Sequence, residues 1–128
     1  MSRTALLLVA HGSRQEEANA DLHHLATELR QRGYPIVEPS FLELAVPSIA
    51  EAGESCVRQG AEQVVLVPWF LSAGVHVRRD LAEACRSLAD RFPAVRFRLA
   101  EPLGRHPLLL DVMLERVRQA TEQSSENT

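Results

Sequence analysis

Short apolar runs alternate with amphipathic stretches along the whole of this chain, and few folds accept that pattern. Thr4–Ala10, Ile36–Leu42, Gln63–Pro68 and Val95–Ala100 have the length and composition of strands. Arg14–Arg32, Ser48–Gln59, Arg78–Phe92 and Pro107–Gln119 repeat apolar residues three and four apart, the period of a helix with one buried face. Ala18, Leu22, Leu25 and Leu29 mark that face in the first helix; Leu81, Ala84, Leu88 and Phe92 mark it in the third. Ser13 with Glu16, and Ser48 with Glu51, have the spacing of a capping box, and Gly33 and Gly60 stand where helices end. Strand–helix repeated four times implies an α/β fold of flavodoxin-like type. Its four-stranded parallel sheet carries helices on both faces. The expected strand order is 2-1-3-4, with the second strand at an edge because Pro39 cannot donate to a ladder on both sides. Residues 1–120 read as one domain and 121–128 as a polar tail.

That topology selects the chemistry. In an open parallel sheet, ligands bind beyond the strands' C-terminal ends, where the winding direction reverses. His11 leaves the first strand there, and His76 follows the third. Glu43 follows the second at the same edge. Two imidazoles and a carboxylate could hold a divalent ion with coordination positions to spare, or move a proton near neutral pH.

Composition removes other classes. In 128 residues, 45% are hydrophobic, enough for a real core, and the net charge of −3 disfavours nucleic-acid binding. All fourteen basic residues are arginine. No apolar run approaches the roughly 20 residues of a membrane span, and no signal peptide is visible after Met1. Cys56 and Cys85 form no C-x-x-C motif and fall on the apolar sides of helices, so they read as buried free thiols. The cytoplasm is the expected compartment. His11-Gly12-Ser13 opens a helix that could take an anion. However, G-x-G-x-x-G and the P-loop lysine are absent, and Ala10 stands where a histidine phosphatase has Arg. Ser72 near His76 lacks the G-x-S-x-G elbow of a nucleophilic serine.

Leu8-Val9-Ala10-His11-Gly12-Ser13-Arg14, Phe41-Leu42-Glu43-Leu44-Ala45 and Phe70-Leu71-Ser72-Ala73-Gly74-Val75-His76-Val77-Arg78-Arg79-Asp80 together resemble the sirohydrochlorin chelatase family. Gly104-Arg105-His106-Pro107-Leu108-Leu109 is similar to that family's segment before its last helix, and the resemblance runs from Thr4 to Gln119. It implies a lyase of cobalamin or siroheme biosynthesis. Such an enzyme inserts a divalent metal (Co2+, Fe2+ or Ni2+) into sirohydrochlorin, a tetrapyrrole rich in carboxylates, without ATP and with no cofactor beyond that metal. It implies His11 and His76 as catalytic residues and metal ligands, with Glu43 as the acidic ligand. Larger members carry two such domains, so a single-domain chain is expected to form a homodimer. Val46 departs from the pattern, since relatives often carry a second acid there, and no His-rich tract is present.

The residues beside these motifs are the expected substrate contacts. Arg14, Arg78 and Arg79 could pair with carboxylates. Ser13 joins them, and Ser72-Ala73-Gly74 offers a small loop that a flat macrocycle could approach. The same residue types admit a second reading, a metal or tetrapyrrole carrier without turnover. His23 and His24 read as surface residues, His106 as a helix-start residue with a secondary role left open, and Trp69 and Phe70 as packing residues.

Overall fold

A computed structural model describes residues 3–126, with side chains to Glu122. The elements run β1 (Thr4–Ala10), α1 (Glu16–Gln31), β2 (Val37–Phe41), α2 (Ile49–Arg58), β3 (Gln63–Pro68), α3 (Val75–Arg91), β4 (Arg96–Leu99) and α4 (Pro107–Glu126). All strand pairs are parallel, in the order β2-β1-β3-β4. Pro39 sits on the edge strand, where its missing N–H costs no ladder bond.

The two faces of the sheet are filled differently. Ala5, Leu7, Val9, Val64 and Leu66 are wholly buried under α2 and α3. The opposite face is covered by α1 alone, which buries Leu22 and Ala26 on Leu8, Val37 and Phe41. Val65 and Val67, the alternate residues of β3, are therefore only half-buried. Ser40, the one buried polar residue among the described residues, donates its hydroxyl to the Leu8 carbonyl at 2.8 Å.

Several local expectations are corrected. α1 begins at Glu16 rather than Arg14, with Gln15 as its N-cap and no side-chain cap. The Ser13–Glu16 box is not made: Ser13 is held instead by Asn19, which accepts from its N–H and donates to its carbonyl. Asn19 is one residue type the box pattern does not consider, and it takes the Ser13 N–H that Glu16 would have accepted. Ala18 is exposed and Ala26 lies on the buried face. α3 begins at Val75 rather than Arg78, so His76 lies in a first helical turn rather than a loop. The second capping box is made in full by Ser48 and Glu51. β4 is shorter than Val95–Ala100, and α4 continues past Gln119 to Glu126, through most of the expected polar tail. Residues 127–128 of that tail lie outside the described residues.

α4 makes no substantial packing contact with any strand or helix. Leu108, Leu110, Val112, Met113, Leu114 and Val117 are each more than half exposed. Among the described residues no helix is long and apolar enough to cross a membrane.

Candidate active site

The site grows from the way β1 and β2 end. Their pairing continues past the strands: the Leu42 N–H donates to the Ala10 carbonyl and the Glu43 N–H to the His11 carbonyl, each at 3.0 Å. His11 and Glu43 are thus zipped side by side by backbone bonds. Gly12 has φ +100°, and a Cβ there would lie 1.8 Å from the Glu43 carbonyl oxygen. Only glycine fits so close an approach in a left-handed conformation. The residue after Glu43 on the facing loop, Leu44, also has positive φ, at 64°, and its side chain is exposed.

The result is a 2.7 Å contact between His11 Nε2 and Glu43 Oε1. A carboxylate only accepts, so Nε2 donates, and in the neutral imidazole Nδ1 then carries the lone pair. Both side chains are more than half exposed, so the pairing contributes on the order of 0.2–1 kcal/mol to stability at most. Its worth is chemical rather than structural.

His76 reaches the site from the first turn of α3. Its Nδ1 lies 2.9 Å from Arg79 Nη2. A guanidinium can only donate, so Nδ1 accepts and the ring proton sits on Nε2. His76 and His11 line one cleft of about 490 Å³ together with Glu43, Ser48, Val77 and Asp80. Among the described residues no three His, Cys, Asp or Glu side chains are grouped closely enough to hold a metal ion. The expected trio therefore shares a cleft, with His11 and Glu43 in contact, without forming a finished coordination shell.

The expected substrate contacts are spread more widely. Ser13 and Arg14 line a neighbouring cavity of about 550 Å³, shared with Asn19 and His23 on the α1 side of the Leu44–Val46 loop. Arg78 faces away: its Nε donates to the Ala73 carbonyl and its Nη1 to Glu101. Arg79 is engaged with His76. Ser72 and Gly74 are exposed in the loop before α3, and Gly74 is its N-cap at an ordinary negative φ. His106 accepts from the Leu108 N–H at the start of α4, a capping role. His23 and His24 are exposed, Phe70 packs against the core, and Trp69 is 44% exposed. Asp80 was not singled out from sequence. With α3 starting at Val75, it stands four residues after His76 on the same helical face. That spacing is the signal that finds it.

Comparison with known proteins gives consistent results. The CbiX family model matches residues 5–120. A sirohydrochlorin ferrochelatase from Arabidopsis thaliana is 42% identical over 88% of this chain, which spans 50% of that relative's length. A sirohydrochlorin cobaltochelatase from Sulfolobus acidocaldarius is 34% identical, with 90% of each chain covered. A solved cobalamin (vitamin B12) biosynthesis CbiX protein from Marinobacter aquaeolei VT8 superposes with a TM-score of 0.81 and 32% identity, covering 94% of this chain and 98% of its own.

Proposed function

Since the chain belongs to the CbiX family, we propose that it is a metal chelatase that inserts a divalent ion into sirohydrochlorin without ATP. Co2+ and Fe2+ are the first candidates, because the relatives are named for both, with Ni2+ a third. The observation that carries this reading is the His11–Glu43 contact, with His76 lining the same cleft. Insertion exchanges two pyrrole N–H protons for one M2+. The His11 Nδ1 lone pair is open, so His11 is the ready acceptor of the first proton, and Glu43 steadies the imidazolium that forms. His76 offers a lone pair only after its ring proton moves or Arg79 lets go, which suits it to the later step or to holding the metal. Arg14 and Ser13, in the adjoining cavity, support a carboxylate contact at the substrate's periphery. We place the reaction in the cytoplasm, in keeping with two unpaired cysteines, and assign the working unit as a homodimer.

The test is a spectrophotometric assay of purified protein with sirohydrochlorin and Co2+, corrected for uncatalysed insertion and repeated with Fe2+ and Ni2+. Many product molecules per protein are expected with at least one metal. A spectral shift that stops at one equivalent would instead identify a metal or tetrapyrrole carrier.

A further inference from the structure

We propose that Arg79 is a latch on His76. It keeps that imidazole closed to metal until a carboxylate of the tetrapyrrole draws the guanidinium away, so the tetrapyrrole binds before the ion. The proposal rests on the chelatase reading above for the source of that carboxylate.

The two histidines of the cleft are not equally ready. The His11 ring donates through Nε2 to Glu43, which leaves its Nδ1 lone pair for an incoming ion. The His76 ring has none to give. Its Nδ1 accepts from Arg79 Nη2 at 2.9 Å, and in the neutral ring the proton then sits on Nε2. Moving that proton to Nδ1 would free Nε2 but set two donors face to face. By either nitrogen, His76 takes an ion only after Arg79 has left.

Arg79 is held loosely. Among the described residues no carboxylate pairs with it, although Asp80 and Glu83 stand one and four residues further along α3. Arg58, Arg78, Arg91 and Arg118 each pair with a glutamate. Arg78, the neighbour in sequence, is pinned twice, to the Ala73 carbonyl and to Glu101. The Arg79 guanidinium gives its hydrogen bond to an uncharged ring. A bond to a carboxylate is roughly twice as strong and takes both arms of the fork. Both residues are exposed, so a substrate reaches the bond directly.

The trigger must therefore be an anion, and a divalent cation alone is repelled by the guanidinium it would have to displace. An ion without the macrocycle meets His11 and Glu43. With the macrocycle in place, His76 joins them in the cleft the three already share. Tetrapyrrole and ion should then each tighten the binding of the other by the same factor.

The experiment measures Co2+ binding by titration calorimetry, without tetrapyrrole, on the unmodified protein, Arg79→Met, His76→Ala and the double variant. Arg79→Met removes the donor and keeps a long side chain that suits a helix. It should bind Co2+ about 3–10-fold more tightly than the parent, the worth of one released hydrogen bond. That gain should vanish when His76 is also replaced. No gain, or a gain that survives without His76 and so reflects only a lost positive charge, would overturn the latch. The trigger is read by 15N NMR of the unmodified protein at a pH where the His76 ring is neutral. Metal-free sirohydrochlorin should move the His76 ring nitrogens toward the positions they take in Arg79→Met. A bound tetrapyrrole that leaves them unmoved would also overturn the proposal. Turnover is read in its own assay, so an active enzyme whose Co2+ affinity ignores Arg79 ends the latch and leaves the chelatase reading standing.

Discussion

His11 and His76 look alike in the sequence and differ in the structure. One imidazole donates to a carboxylate, the other accepts from a guanidinium, and their open nitrogens are opposite in kind. His11→Ala and His76→Ala should each abolish metal insertion while leaving the far-ultraviolet circular dichroism unchanged, because both side chains are exposed. Glu43→Gln keeps an acceptor oxygen for His11 but loses the charge, and a fall of about 10–100-fold in insertion rate is expected. The cysteines diverge in the same way. Burial pushes the Cys56 thiol up to about 12, with the Glu38 carboxylate adding to the rise, and Cys85, only partly buried, is also raised by burial. A thiol reagent at pH 8 should therefore label Cys85 slowly in the native protein, and Cys56 only after unfolding. Equal native labelling of both would contradict that burial.

At the scale of elements, the site depends on how two strands finish. Gly12→Ala places a Cβ against the Glu43 carbonyl at a φ that alanine resists, so the zipped ends of β1 and β2 must part. A loss of about 1–3 kcal/mol is expected from urea unfolding, together with lost activity although no reacting group is removed. Loss of activity without loss of stability would mean that Gly12 serves the substrate directly. α2 is fixed by its capping box, and Ser48→Ala should cost about 1 kcal/mol by thermal unfolding. The backbone N–H of Ser48, and then its hydroxyl, hold the Glu51 carboxyl below the usual carboxylate range. A depressed carboxylate stabilises above its unfolded pKa, and that contribution disappears as pH falls through the folded value. The difference between Ser48→Ala and the parent should accordingly shrink in acid. The first expected box, at Ser13, shows why spacing alone misled: Asn19, one turn into α1, claims the Ser13 N–H and donates to the Ser13 carbonyl as well. Because α1 then starts later, Arg14 falls in the loop rather than the helix.

For the whole molecule, the sheet and α2–α3 form a closed core while α4 stands apart from it. Most helical stability in proteins comes from packing an apolar face, and six apolar residues of α4 are each more than half exposed. Amide exchange should therefore be slow and independent of protein concentration in β1 and β3. In α4 it should be slow at high concentration and fast on dilution. The alternation of elements, the strand order that Pro39 and the crossover rules impose, and the delivery of His11, Glu43 and His76 to one sheet edge are all legible along the chain. Those follow from periodicity and chain handedness, which are local or nearly so. It takes the folded chain to show that Glu43 bonds His11 rather than His76, and that Arg79 turns inward to His76 while Arg78 turns away to Glu101. Only it showed that α4 finds no seat on its own chain. Each of these is set by side-chain directions and free surface across separate elements, and the spacing of residues along one chain carries no record of either.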